Sequence, residues 1–309
     1  MTAHSLFNMA SHEAVRREAV RRRSELRIVA QETKELLPDI LCQLKSDTTT
    51  STLCSLEDLE PLDPEACPKF ELPEEDGKPT RKGTRIQIFD QDTFDTAIIL
   101  QPDTTATTEK KPMAILNLAS ERHPGGGWLN GALAQEEALC YRSSLYLTLK
   151  DDFYPIPPLS GVYSPTVIII RDALSRGHGL LCGETPAEDL PVTSVITVAA
   201  QRTPKLSRHL TYQHDSDRQL MKNKIRLILR IAARNGHTKL VLGALGCGAF
   251  RNPPEDVAQC FLEAFHEKEF EGGWWEQMAF AVLDNVRNGG KEGNGNYGIF
   301  YRTLNGVIV

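Results

Sequence analysis

Residues 117–146 read NLASERHPGGGWLNGALAQEEALCYRSSLY. An apolar run ending in Leu118 passes through Gly125, Gly126 and Gly127 into a helical pattern that opens with Gln135, Glu136 and Glu137. Three glycines in a row let the backbone take φ > 0 or approach a ligand where a Cβ would obstruct it. A strand, a glycine turn and a helix start are the parts from which an α/β protein builds a site at the carboxyl end of a strand.

The rest of the chain supplies more units of the same kind. Short apolar or β-branched runs at Thr84–Phe89, Met113–Leu118, Val167–Ile170, Val195–Ala199, Leu240–Leu242 and Met278–Leu283 predict strands. Between them, helical patterns cover Thr93–Leu100, Leu133–Leu147, Asp215–Asn235 and Pro253–Glu267. The third of these places Met221, Ile225, Ile228 and Ala232 on one face and stops at Gly236. Alternating strands and helices predict an α/β fold with helices on both faces of a parallel or mixed sheet.

Ahead of this region, residues 11–37 are rich in Ala, Glu, Arg and Leu and predict a helix ending at Pro38, with a short second helix through Leu44. Its apolar stripe is thin, so it is expected to lie on the domain as an extension. Residues 46–83 turn to Thr, Ser, Pro and acid, including Pro73, Glu74, Glu75, Asp76 and Pro79, and read as an extended connecting segment. The expected organisation is a helical extension over residues 1–45, a connector over 46–83 and a catalytic domain over 84–309.

Composition narrows the function. The chain of 309 residues carries a formal charge of −6, so its overall field does not favour a nucleic-acid backbone. No run reaches the ~18 apolar residues that a membrane span requires. Seven cysteines without a CxxC pair fit neither a disulfide framework nor a zinc site, and they point to a reducing, intracellular compartment, cytoplasmic or nuclear. The arginines of RREAVRRRSELR, residues 16–27, are interspersed with glutamates and read as a solvated helix face.

A second glycine loop, GALGCGAFRNPP over residues 243–254, also follows a strand and precedes a helix, with Asn252 as the expected N-cap and Pro253 at the first helical position. Such a loop presents backbone N–H groups and a helix N-terminus to an anion. Two such loops on one sheet suit a diphosphate held between them. Glu136 and Glu137 point about 100° apart on a helix, so they have different tasks. Glu137 falls in the mostly apolar row Leu133, Cys140, Ser144, Leu147, where burial would raise its pKa towards that of a general acid while the helix dipole opposes this. Adjacent glutamates cannot flank a sugar from opposite faces, so one acid carries most of the chemistry.

Three glycines, seven residues, then QEE closely resembles the signature of poly(ADP-ribose) glycohydrolases, and the surrounding stretch is similar to the bacterial and fungal type of that family. SPTVIIIRD from Ser164, VITVAA from Val195, GALGCGAFRNPP and FAVLD from Phe280 agree in order. The resemblance implies a macrodomain-like three-layer αβα fold with a mixed central sheet, binding ADP-ribose without a metal or cofactor. By matched position it implies Glu137 as acid/base on the ribose–ribose bond, with Glu136 and Asn117 holding hydroxyls of the ribose being cleaved. Gln135 would orient the glutamates, and Gly125, Gly126 and Gly127 would approach the diphosphate and that ribose. Gly246, Cys247, Gly248 and Ala249 would cradle the diphosphate, and Phe250 would pack on the sugar.

His123 stands where the microbial family usually has Asn, and it reads as a surface residue. Tyr297, Phe300 or Tyr301 near the C-terminus are candidates for the adenine contact, with a place in the core as the other reading of aromatic residues there. The implied activity is exo-acting hydrolysis of poly(ADP-ribose), with the polymer and ADP-ribosylated proteins as partners. Two alternatives stay open: an ADP-ribose reader without turnover, and a hydrolase of mono-ADP-ribosylated protein.

Overall fold

A computed structural model describes residues 3–44, 47–72 and 81–309, with the side chains of 3–12, 14 and 15 left aside. Pro73, Glu74, Glu75, Asp76 and Pro79 of the expected connector lie outside the described residues. Seven strands, β1 (Thr52–Ser55), β2 (Ile86–Phe89), β3 (Ala114–Leu118), β4 (Ser160–Ile168), β5 (Val192–Val198), β6 (Lys239–Leu242) and β7 (Gln277–Ala281), form one sheet. Its order is β1-β4-β5-β3-β6-β7-β2. β4 pairs antiparallel with β1 and β5, whereas β5, β3, β6, β7 and β2 run parallel. The five parallel strands therefore deliver their carboxyl ends, and the loops that follow them, to one edge.

Residues that alternate along the strands enter two cores. Leu116, Leu240, Leu242, Met278 and Phe280 face α4 (Asp215–Arg234), α5 (Pro254–Phe265) and α6 (Asn296–Leu304). Ile115, Val241 and Ala279 face α1 (Ala3–Leu41), α2 (Thr93–Leu100) and α3 (Gln135–Arg142). This is the expected three-layer αβα arrangement with a mixed sheet. Strands buried on both faces need the near-continuous apolar runs seen in the sequence.

Several elements differ from expectation for identifiable reasons. α1 is one helix through Pro38, because Leu37 and Ile40 are buried on its inner face and their burial offsets the hydrogen bond that proline removes. The helix expected over Leu133–Leu147 stops at Arg142. Ile170 N–H donates to the Arg142 carbonyl, Ser143 is extended, and its Oγ accepts from Leu145 N–H to start a 3-10 turn over Ser144–Leu147. β1, inside the expected connector, forms the sheet edge beside β4. β4 is longer than the run at Val167–Ile170 indicated, with an irregularity between Ser164 and Val167. α6 had no counterpart in the sequence reading.

Candidate active site

α3 begins against β3 because Gln135 fastens it there. Its Oε1 accepts from Leu118 N–H at 2.8 Å, and its Nε2 donates to the Leu116 carbonyl at 2.8 Å and to Thr93 Oγ1 at 3.2 Å. The first turn of the helix thus sits beside the carboxyl end of the central strand. Gln135 thereby ties the start of the helix that carries the glutamates to β3.

The two glutamates then diverge as their helical spacing requires. Glu137 is 9 % exposed and accepts from Gly127 N–H on Oε1 and from Ala134 N–H on Oε2, both at 2.9 Å. The Ala134 bond is the carboxylate half of a capping box. Glu136, 2 % exposed, is the more deeply buried of the pair. It accepts from Ser120 N–H at 2.7 Å and from Asn117 Nδ2 at 3.4 Å. Burial pushes the Glu136 carboxyl up to about 8, against the opposing pull of the Ser120 N–H and with a further rise from the neighbouring Glu137 charge. Glu137 is buried with Cys140 and Ser144 of the row that placed it inside, although Leu133 at the head of that row is exposed, and Glu136 is buried beside it.

The glycine triplet serves these carboxylates. Gly126 has φ +60, and a Cβ there would overlap Glu137 Oε1 and stand 3.0 Å from Glu136 Oε2. Gly125 has φ +68, where a Cβ would meet the Trp128 ring at 2.8 Å and Cys140 Sγ at 2.9 Å. Gly126 N–H donates to the His123 carbonyl, and Gly127 N–H is held by Glu137. The N–H groups of Gly126 and Gly127 are thus bonded within the protein, whereas the sequence suggested that the triplet forms half of a diphosphate clamp.

The second loop presents the free donors. Among the described residues, the N–H groups of Gly248, Ala249 and Phe250 have no acceptor. Gly246 turns at φ +74 against Ala200 and Asn252. Asn252 braces the loop through Nδ2 bonds to the Gln201 carbonyl (2.8 Å) and the Gly246 carbonyl (3.2 Å). It is not the helix cap: α5 starts at Pro254 with Pro253 before it. Cys247 is buried, and burial pushes its thiol well up from its ordinary range.

Both loops open on one cavity of about 1680 Å³, lined by Gly126, Gly127, Glu136, Glu137, Gly246, Gly248, Ala249 and Phe250 among others. Asn117, Gly125 and Cys247 are not in its wall. Asn117 is fully buried behind Glu136, bonded also to Thr197 Oγ1 at 3.2 Å. His123 is exposed, as its reading as a surface residue expects, and it also lines the cavity. Tyr297, Phe300 and Tyr301 do not. Tyr297 and Phe300 are buried in the core, and Tyr301 packs against it.

Sequence reasoning missed other wall residues. Asp90, Gln91, Val282 and Asn285 follow β2 and β7 and line the cavity, and the rule that ligands bind beyond strand carboxyl ends would have found them. Arg202, just after β5, lies with its guanidinium 4.2 Å from the Phe250 ring centre and pairs with both Glu121 oxygens at 3.1 Å. It connects the two glycine loops, and no local signal in the sequence announced it. Among the described residues no group of three His, Cys, Asp or Glu is arranged to hold a metal ion.

Comparison with known proteins agrees with this geometry. A family model described as the catalytic domain of microbial-type PARG matches residues 65–172, and one for the macro domain matches 181–261. The first match begins ahead of Thr84. The crystal structure of poly(ADP-ribose) glycohydrolase from Thermomonospora curvata is 27% identical, with a TM-score of 0.67 over 91% of this chain and 99% of that one. The same enzyme bound to the inhibitor ADP-HPD is 26% identical, with a TM-score of 0.67 over 90% and 99%. Poly(ADP-ribose) glycohydrolase from Deinococcus radiodurans in complex with ADP-ribose is 31% identical, with a TM-score of 0.62 over 83% and 95%. The comparison with curated proteins finds no match.

Proposed function

The chain belongs to the microbial-type poly(ADP-ribose) glycohydrolases, and from that membership we propose an exo-acting enzyme in which Glu137 alone is the general acid and base. It hydrolyses the ribose–ribose O-glycosidic bonds of poly(ADP-ribose) and releases ADP-ribose. The observation that carries this reading is the opening of one cavity onto both the Glu136–Glu137 pair and the unpaired N–H groups of Gly248, Ala249 and Phe250.

The diphosphate of a terminal ADP-ribose accepts from those N–H groups, as anions do at glycine-rich turns. Phe250, backed by Arg202, packs on the ribose. Glu136, whose burial favours its protonated form, holds ribose hydroxyls, and Asn117 fixes Glu136 from behind; Glu137 enters the reaction in its protonated form. Glu137 protonates the departing ribose oxygen, the glycosidic C–O bond breaks, and positive charge develops on the anomeric carbon. The nearby phosphates stabilise that charge electrostatically. Glu137, now a carboxylate, takes a proton from the water that attacks the anomeric carbon, which restores the acid.

The polymer and ADP-ribosylated proteins are the expected partners. Seven free thiols support an intracellular site of action, and among the described residues no helix is long and apolar enough to cross a membrane. We take residues 84–309 as the catalytic unit, on which α1 packs.

The test is release of ADP-ribose from purified polymer by the wild type and by Glu137→Gln. The wild type releases monomer, and the variant loses at least ~10²-fold in rate, the scale of a positioned acid/base, while still binding ADP-ribose. A wild type that binds ADP-ribose but releases none is a reader. Normal turnover by the variant removes Glu137 from the chemistry.

A further inference from the structure

The exposed arginines of α1 are not used by the chemistry above, and their placement on the helix is ordered. At about 100° per residue, Arg16, Arg23, Arg27 and Lys34 fall within about 40° of one another, in a row about 27 Å long. All four are exposed. Lys34 lines the catalytic cavity. Arg23 and Arg27 each donate from Nε to the carbonyl of Asn130 at 3.2 Å, and Asn130 lines the same cavity. The row thus starts at the cavity wall and runs outward along the helix.

The helix is held firmly enough to keep that alignment. Leu26 and Ala30 are buried with Trp128 in one core, Thr33 Oγ1 donates to the Tyr141 carbonyl at 2.8 Å, and Gly131, at φ +75, lies directly against the backbone of Arg23. Glu18 and Glu25 lie about half a turn away from the row, where they pair with Arg21 at 2.9 and 3.7 Å. Glu13, nearer the row, pairs with Arg17 at 2.6 Å. Among the described residues, none of the four cations of the row has a carboxylate partner within 4.0 Å.

We propose that this row is a binding track for the poly(ADP-ribose) chain beyond the unit held in the cavity, its cations meeting successive diphosphates. The proposal rests on the reading of the cavity as the glycohydrolase site. A protein of net charge −6 repels a polyanion over most of its surface. A continuous line of cations leading to the site supplies the local attraction, and exposed guanidinium groups suit paired phosphate oxygens.

The experiment compares long polymer with a two-unit chain as substrates for the wild type, Arg16→Glu, Arg16→Glu/Arg23→Gln and Arg21→Gln. For the double variant the KM for long polymer should rise about tenfold, and the salt slope of its polymer binding should fall by about 2, about 1 for each cation removed. Its KM for the two-unit chain should rise less than that for long polymer, because that chain does not reach Arg16 and meets only Arg23 beside the cavity wall. Arg16→Glu alone should show the same split on a smaller scale, and Arg21→Gln, off the row, should match the wild type. Equal losses on both substrates, or an equal effect from Arg21→Gln, would overturn the track. Fluorescence anisotropy of labelled polymer reads the row without turnover. A wild type that binds polymer through Arg16 and Arg23 but releases no ADP-ribose from the two-unit chain sinks the enzymatic reading alone. A single-stranded RNA of equal charge that competes as well as the polymer would make the row a general polyanion surface and refute the assignment.

Discussion

Gly126 lies directly against the carboxylate of Glu137, with no room for a Cβ between them, and its φ of +60 is one that a side chain disfavours. Gly126→Ala must displace the acid or the loop. The variant should remain folded while its turnover on poly(ADP-ribose) falls by at least ~10²-fold, since a misplacement of about 1 Å at a catalytic group costs that much. Circular dichroism and ADP-ribose release measure the two halves. A folded Gly126→Ala with normal turnover would show that the contact has no part in placing Glu137.

Gly248 offers the opposite case, since a Cβ there meets nothing within 4 Å. Gly248→Val should leave the melting temperature unchanged and weaken ADP-ribose about tenfold or more, the scale of one lost hydrogen bond to a charged group. Calorimetric titration with ADP-ribose decides it, and unchanged affinity would move the diphosphate away from this loop.

Glu136 makes stability depend on pH. Its folded-state pKa is about 8 against an ordinary 4.5. Below the ordinary value both the folded and unfolded chains hold the proton. Between the two values only the folded chain does, so rising pH favours unfolding. The stabilising contribution is therefore complete in acid and lost as pH rises through about 8. Glu136→Gln removes this titration, and its melting temperature relative to the wild type should be higher at pH 8 than at pH 5. His178 and His237, whose burial lowers both to about 4, are common to both proteins and cancel. An equal offset at the two pH values would show that Glu136 is not held neutral.

Arg142 is buried and pairs with Asp92 and with Asp95, the latter at 2.7 Å with 5 % of its side chain exposed. Arg142→Met leaves Asp95, among the described residues, with Arg176, itself half exposed, at 2.5 Å as its remaining cation. Losing one partner of a buried ion pair should cost about 3 kcal/mol. Denaturant unfolding measures it, and a cost below about 1 kcal/mol would class the pair with exposed salt bridges.

Much of the fold was legible because its signals are local. Apolar runs buried on both faces marked the central strands, and the amphipathic period of Asp215–Asn235 marked α4 almost to the residue. β1 was hidden: Thr52–Ser55 has no apolar pattern of its own and is a strand only because β4 lies beside it. The break of α3 at Ser143 was equally invisible, since the competing hydrogen bond comes from Ile170. At the C-terminus, aromatic residues read as adenine contacts are core, because α6 packs Phe300 against Phe261 and Phe280.

The sequence by itself determined that two glycine loops and a pair of adjacent glutamates stand at strand ends of an α/β sheet, because glycine's conformational freedom and the helical period act between near neighbours. Only the tertiary structure decided that burial raises the pKa of the Glu136 carboxyl, that among the described residues the N–H groups of Gly248, Ala249 and Phe250 have no acceptor, that Arg202 joins Glu121 to Phe250, and that the cations of α1 align with the cavity. Each of these depends on burial and on partners far away in the chain, and neither exists until the layers have packed.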